Sequence, residues 1–157
     1  MARRQQFIEC PPEAVWSVLS DGRNYAEWVV GTRDIEHADA DWPAVGTLLH
    51  FRAGIGPLTL DDRCVVRICE PGTRLELEAK AEPFGAARIA FTLVPWGANT
   101  LVFLDEHPLT GPGSRLQGPP SELLLHLRNR RLLGNLARVA VREHQQTAGA
   151  APNHHPG

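Results

Sequence analysis

The sequence lacks the features that would assign its class at once. Among 157 residues it has only three cysteines, Cys10, Cys64 and Cys69, with no Cys-x-x-Cys pair. We therefore expect reduced thiols, with neither a disulfide framework nor a zinc site. No window approaches the roughly 18 consecutive apolar residues of a membrane-spanning helix, and residues 1–10 contain no apolar segment of signal-peptide length. These absences predict a cytoplasmic protein without a membrane span.

An excess of charge of one sign is also lacking. The formal net charge is −2, from 16 basic and 18 acidic residues, so no overall positive field favours a nucleic-acid partner. No G-x-S-x-G motif of a serine hydrolase is present. The glycine pair in "GIG", residues 54–56, lies between predicted strands rather than before a helix, which argues against a phosphate-binding loop. We predict no cofactor and no metal, and the sequence does not indicate an oligomeric state.

The residues that are present predict one α+β domain over residues 1–144. A short strand at residues 4–10 is followed by two short helices within residues 11–29. A meander of about six antiparallel strands then extends to residue 108, because alternating apolar and polar residues are separated by turn signals such as Pro71-Gly72. Such a sheet has one dry face that another element must cover.

A long C-terminal helix is the only predicted element able to cover that face. Ser121 is a favourable N-cap, and apolar residues at helical spacing continue to about Glu143. One face of the helix contains Leu125, Asn129, Leu132, Leu136 and Val139. Residues 145–157 contain almost no large apolar side chain, so we expect a disordered tail there.

Residues 57–70 raise the main question about function. In a strand, alternate side chains face the same side of the sheet. One such row is formed by Leu58, Leu60, Asp62, Cys64, Val66 and Ile68, with Cys69 on the opposite face. A buried carboxylate is costly unless it takes up a proton or finds a cation. Asp62 therefore either faces an interior that tolerates a polar group, or lies in water or beside an arginine near the strand end.

Six short segments between Phe7 and about Val141 carry a resemblance to a known family. They are "PPEAVWSVLSD", "NYAEWVVGT", "WPAVGTLLH", "GIGPLTLDD", "EPGTRLELEA" and "LLLHLRNRRLLGNLA". In order and spacing they resemble the START-like (Bet v 1-like, SRPBCC) superfamily, in its polyketide cyclase/dehydrase-type branch. The resemblance implies a helix-grip fold, in which a curved antiparallel sheet of six to seven strands wraps around the long helix. It also implies a deep, mostly apolar cavity for a lipid-, polyketide-, steroid- or hormone-like ligand.

Three side chains are candidate acid or base groups in such a cavity. Asp62 and Glu106 both occupy rows that are expected to face inward, and two carboxylates in different environments can divide acid and base roles. Each of them could instead belong to the polar rim. His50 is a candidate proton shuttle, but both faces of its strand are mixed, and Arg52 on the same face favours a position facing solvent.

Other residues are candidate ligand contacts. Trp28 and Tyr25 lie near the expected mouth of the cavity, where aromatic rings supply contact area. Leu125 and Leu132 extend the apolar helix face. Asn129 interrupts that face, and its amide could orient a polar group of a ligand or satisfy backbone atoms of the sheet.

Three functions remain open from the sequence. The first is binding of a small hydrophobic molecule without a chemical step. The second is a polyketide cyclase/dehydrase that uses cavity acid and base residues for ring closure and loss of water. The third is a protein-docking domain whose cavity is filled by its own side chains. No strong constellation of acid, base and oxyanion donors is visible, and this favours the first.

Overall fold

A computed structural model describes residues 2–55, 57–81, 85–110 and 119–150. Its elements follow one another as β1 (Ala2–Ile8), α1 (Pro12–Leu19), a short 3-10 turn (Gly22–Asn24), α2 (Tyr25–Trp28), β2 (Thr32–Ala38), β3 (Leu48–Ile55), β4 (Leu58–Glu70), β5 (Arg74–Ala81), β6 (Gly85–Trp96), β7 (Asn99–Thr110) and α3 (Pro119–Ala150).

The seven strands form a single antiparallel sheet in the order β1-β7-β6-β5-β4-β3-β2. From β2 to β7 every strand pairs with its sequence neighbour, as in a meander. The first strand then pairs with the last, with Ala2 opposite Glu106 and Ile8 opposite Thr100. The predicted fold class, a sheet of six to seven strands with two short helices after the first strand and a long C-terminal helix, is confirmed.

Helix α3 covers the concave face of this sheet and contacts β1, α1 and α2. Its predicted apolar face is buried, and Leu132, Leu136 and Val139 are each at most 2% exposed. The predicted end near Glu143 needs correction, because the helix continues to Ala150. Residues 145–150 are thus helical rather than part of a tail, and residues 151–157 lie outside the described part of the chain.

Strand β4 contains an irregularity that changes the predicted face pattern. The register shifts between Val66 and Ile68, so that Cys69, rather than Ile68, pairs with the inward-facing Leu75. Such a bulge inserts one residue into the strand and moves every later side chain to the other face. Cys69 therefore packs against the core, contrary to the strict alternation expected from the sequence. Asp62 lies before the bulge, in the part of β4 where the predicted alternation holds.

Residue 54 on β3 must be glycine because the Arg33 side chain passes directly over it. Arg33 on β2 extends over β3 at Gly54, and its Nη1 donates a hydrogen bond to the Thr59 hydroxyl on β4 at 3.1 Å. A Cβ atom at residue 54 would collide with the Arg33 guanidinium. Gly54 thus allows one arginine to connect β2 with β4 across the convex face of β3.

The described residues also show the state of the cysteines and whether a membrane-spanning helix or a metal-binding group is present. All three cysteines are free thiols. Within the described ranges, no helix is long and apolar enough to cross a membrane. No group of three or more His, Cys, Asp or Glu side chains in that part of the chain is arranged to hold a metal ion.

Candidate functional site

A cavity of about 420 Å³ lies between the concave face of the sheet and α3. The strands contribute alternate residues, because side chains on one face of a sheet recur with a period of two. The loop between α2 and β2 and two residues of α3 complete the wall. The lining residues are Tyr25, Trp28, Val29, Val30, Gly31, Thr32, Phe51, Ala53, Gly54, Asp62, Cys64, Leu77, Ala79, Ile89, Phe91, Arg128 and Leu132.

An aromatic cluster forms one wall of the cavity. Trp28 packs edge-on against Tyr25, with ring centroids 4.8 Å apart, and against Phe91 at 5.7 Å. Trp42, on the far side of Tyr25, is not among the lining residues. The sequence predicted Trp28 and Tyr25 as ligand contacts, and in the structure both rings lie in the cavity wall. These edge-on contacts hold the rings in fixed orientations.

The Tyr25 hydroxyl is not available to a ligand in this arrangement. It donates a hydrogen bond of 2.7 Å to the backbone carbonyl of Leu19. Burial raises the pKa of Tyr25 well above its ordinary value, so the phenol stays protonated. Tyr25 therefore contributes an apolar ring to the wall while its polar end anchors α2 to the end of α1.

Asp62 faces the cavity, as the alternation in the first half of β4 predicts. It is partly buried and lies opposite Phe51 on β3 and Ala81 on β5. Burial raises the pKa of Asp62 to about 6, although the backbone N–H of Arg63 and the positive charge of Arg128 both act to lower it. That N–H donates to Asp62 Oδ1 at 2.7 Å. The carboxyl group can thus gain or lose a proton close to neutral pH.

Glu106 also faces inward, but it is separated from Asp62. It lies on β7 opposite Ile89, three strands away from β4. Its side chain is 9% exposed and both carboxylate oxygens lie 3.4 Å from Arg128 Nη1. Glu106 does not line the cavity, so the two carboxylates do not act on one ligand atom. Arg128 interacts with both carboxyl groups: it contacts Glu106, and its charge lowers the pKa of Asp62.

Arg128 is the polar residue that the sequence reasoning missed. It lines the cavity, and its side chain is 36% exposed. Its position four residues before Leu132 places it at the margin of the apolar face of α3. That spacing was the available signal, but an arginine at the edge of an amphipathic helix is usually assigned to solvent.

Asn129 is buried, at 1% exposure, but it is not part of the cavity lining. Its Oδ1 lies 3.5 Å from Arg128 Nη1, within hydrogen-bonding distance. Its Nδ2 has no hydrogen-bond partner among the described residues. The amide therefore contacts the arginine rather than a ligand in the cavity.

The sheet register corrects the placement of His50. Lining residues Phe51 and Ala53 alternate with it along β3, so His50 faces the convex side. There it lies opposite Arg63 on β4 and His37 on β2, with the two imidazole centroids 6.3 Å apart. His50 is therefore not positioned to transfer a proton inside the cavity.

The two predicted leucine contacts and one cysteine complete the site. Leu132 lines the cavity, whereas the side chain of Leu125 lies outside the described residues. Cys64 neighbours Asp62 along the same face, and burial, followed by the charge of Asp62, raises the thiol pKa to about 12. The Cys64 thiol is therefore protonated and serves as an apolar wall residue rather than a nucleophile.

A family model and several solved structures match most of this chain. Residues 2–141 match the model of the family described as polyketide cyclase / dehydrase and lipid transport. The chain belongs to this family. No curated protein is significantly similar to it in sequence.

Solved structures with the same fold cover almost all of this polyketide cyclase/dehydrase family chain. A protein from Nitrosomonas europaea has a TM-score of 0.72 at 16% identity, covering 92% of this chain and 96% of its own. The Zhui aromatase/cyclase from Streptomyces sp. R1128 has a TM-score of 0.64 at 13% identity, with 96% of each chain covered. Ara h 8.0201 has a TM-score of 0.68 at 10% identity, covering 90% and 97%. At these identities the likeness shows the fold alone.

Proposed function

We propose that this member of the polyketide cyclase/dehydrase family binds one small, mostly apolar molecule in the cavity between the sheet and α3. The observation that carries this proposal is the cavity wall itself, which is built almost entirely from aliphatic and aromatic side chains. A volume of about 420 Å³ lies within the range of about 300–1,000 Å³ that is typical of small-molecule pockets. The docking hypothesis requires that the protein's own side chains fill the cavity. The space of about 420 Å³ between the sheet and α3 does not agree with that requirement.

The two charged lining residues define what kind of molecule fits. Asp62 and Arg128 are close enough to interact electrostatically, so the charged groups of the wall lie together while the rest is mostly apolar. Pockets of this kind bury an apolar body and orient it by a few polar contacts. The expected ligand therefore has an apolar body and a hydrogen-bonding group that reaches Asp62 and Arg128.

The binding proposal is tested by filling the cavity. Ala79→Phe adds a ring to the lining, whereas Lys80→Phe adds the same ring on the opposite face of β5, because adjacent residues in a strand face opposite sides. Native mass spectrometry of protein purified from its own host should show a bound small molecule on the wild type and on Lys80→Phe, but not on Ala79→Phe. Equal occupancy of all three proteins, or no ligand on any, would contradict the proposal.

Acid-base chemistry on the bound molecule is the second candidate function. It is favoured by the pKa of Asp62, about 6, since an effective general base has a pKa near the working pH. The Asp62 carboxylate would remove a proton from a carbon next to a ligand carbonyl. The Arg128 guanidinium would donate hydrogen bonds to that carbonyl oxygen as negative charge develops on it.

The comparison of wild type with Asp62→Asn separates binding from chemistry. Asparagine has nearly the same shape but cannot accept the proton. If the cavity only binds, both proteins will carry the same molecule in native mass spectra. If Asp62 removes the proton that leads to ring closure and loss of water, the variant will accumulate a species, heavier by one water molecule, that the wild type does not retain.

A further inference from the structure

A surface groove with unbalanced positive charge adjoins the cavity. Its lining residues are Val30, Leu127, Arg128, Arg130 and Arg131, and Val30 and Arg128 also line the cavity. The groove therefore borders the cavity at these two residues, and the Arg128 side chain, which is 36% exposed, marks where the cavity reaches the surface. None of the lining residues is acidic, although the chain as a whole has a net charge of −2.

The arrangement follows from the helical repeat. With about 100° between successive residues of an α-helix, Arg130, Leu127, Arg131 and Arg128 occupy adjacent positions around the outer side of α3. Arg130 and Arg131 are exposed, and Leu127 between them is 52% exposed. An apolar side chain is thus flanked by two guanidinium groups at the cavity opening.

Several arginines among the described residues lie in ion pairs, and one groove arginine, Arg128, is among them through Glu106. Arg142 is paired with Glu27 at 2.6 Å, and Arg52 with Asp34 and Glu36. Within the described part of the chain, Arg130 and Arg131 make no ion pair with any carboxylate. Their charges are therefore available to an anionic group from outside the domain.

At the cavity wall, by contrast, the charge of the one arginine is offset by acidic side chains. Arg128 is flanked by Glu106 and by Asp62, so an anion beside Arg128 would also meet two carboxyl groups. An acidic group is therefore better placed outside, at Arg130 and Arg131, where guanidinium forks match carboxylate and phosphate oxygens. Apolar parts of the same molecule would pass Val30 and Leu127 into the cavity.

From this juxtaposition we infer that the ligand is an amphipathic anion, whose apolar body occupies the cavity and whose carboxylate or phosphate head binds Arg130 and Arg131 at its opening. The inference rests on the proposed binding function and specifies the ligand class. It predicts that affinity depends on the head group as well as on the apolar chain.

Three probes with the same hydrocarbon chain test the inference: dodecanoate, dodecyl phosphate and dodecan-1-ol. Isothermal titration calorimetry below the critical micelle concentrations should show at least one of the anions binding about tenfold more tightly than the alcohol, the effect of about one charge-assisted hydrogen bond. The anion with the larger advantage identifies the head as carboxylate or phosphate. The advantage should shrink as salt is added, because the head-group contact is exposed.

A double variant, Arg130→Gln with Arg131→Gln, should remove most of the anion's advantage and leave dodecan-1-ol affinity within about twofold. Its matched control is Arg23→Gln with Arg138→Gln, which changes net charge equally at two exposed arginines away from the groove. The control should bind the anions as the wild type does.

The outcomes separate this inference from the function on which it rests. Equal affinity for all three probes, or unchanged anion binding by the groove variant, would overturn the inference and leave the cavity function intact. Failure of every probe to bind would overturn both. If the groove variant instead loses only sedimentation with anionic phospholipid vesicles, while the probes bind equally, the groove contacts a membrane surface and the inference is wrong.

Discussion

The two halves of the concave face are built from the same strands, yet one is packed and the other is hollow. In the packed half Leu49, Val66 and Leu75, on β3, β4 and β5, are completely buried. In the hollow half the corresponding positions further along β3, β4 and β5 hold Ala53, Cys64 and Ala79. Along each of these strands a smaller side chain follows a larger one toward the cavity and leaves space there, although larger side chains such as Phe51 and Leu77 also form part of the wall.

The largest expected effect compares two leucines on α3. Leu136→Ala removes a fully buried side chain from the packed half and should lower the free energy of unfolding by about 3–5 kcal/mol. Leu132→Ala, beside the existing cavity, should cost only about 2 kcal/mol, because fewer surrounding atoms lose contacts. Urea denaturation of both variants measures the difference. Equal losses would show that the two halves are equally well packed.

Added atoms should also cost more stability in the packed half than in the hollow half. Ala140 is completely buried in α3, so Ala140→Leu should overpack the core and cost about 1–3 kcal/mol. Ala79→Leu extends into the cavity and should change stability by less than about 0.5 kcal/mol. Thermal unfolding compares the two. A loss of similar size at residue 79 would mean that the cavity wall has already closed around it.

Asp62 should lower stability in a pH-dependent manner. Its pKa is about 6 in the folded state against an ordinary value of 3.8, so the folded protein binds the proton more tightly and loses stability as pH rises from about 4 to 6. Asp62→Asn should therefore raise the free energy of unfolding by about 1–2 kcal/mol at pH 7.5, with allowance for partial exposure. The gain should vanish near pH 3.5.

The control for that measurement is Asp61→Asn, on the opposite, exposed face of β4. Removing an exposed charge should change stability by no more than about 0.5 kcal/mol at any pH. If both substitutions gave the same pH-dependent gain, the effect would reflect net charge rather than burial in the hollow half.

The smallest expected effect concerns the coupling between Arg128 and Asp62. The positive charge of Arg128 lowers the pKa of Asp62, so Arg128→Gln should raise that pKa further. Carbon-13 NMR titration of the aspartate carboxyl signals would detect the upward shift. Arg138→Gln, on the same helix but outside the lining residues, should leave the midpoint unchanged.

The sequence predicted the fold and the inward face of β4 for a clear physical reason. Alternation has a period of two in any strand, so Asp62 and Cys64 face the cavity together until the bulge after Val66 interrupts the pattern. The bulge itself leaves no mark in residue type, and the placement of Cys69 could not be predicted. His50 lies in a strand where both faces are mixed, so only the register with β2 and β4 decided its side.

The polar part of the site was less predictable, because it depends on contacts between distant elements. Arg128 and Glu106 are 22 residues apart and meet only when α3 crosses β7. A charged residue at the margin of a helix face is compatible with either solvent or a buried partner. The spacing to Leu132 indicated where Arg128 lies, but not what it contacts.

The crossing of Arg33 over Gly54 has a consequence for the opening of the cavity. Strand β2 lies at the edge of the sheet, with a neighbour on one side only. The hydrogen bond from Arg33 to Thr59 connects β2 with β4 as well. The substitution Gly54→Ala would add a methyl group that displaces the Arg33 side chain, without adding an atom to the concave face. A substitution on the outer surface of the sheet is therefore expected to loosen β2, the strand that contributes Thr32 to the cavity wall.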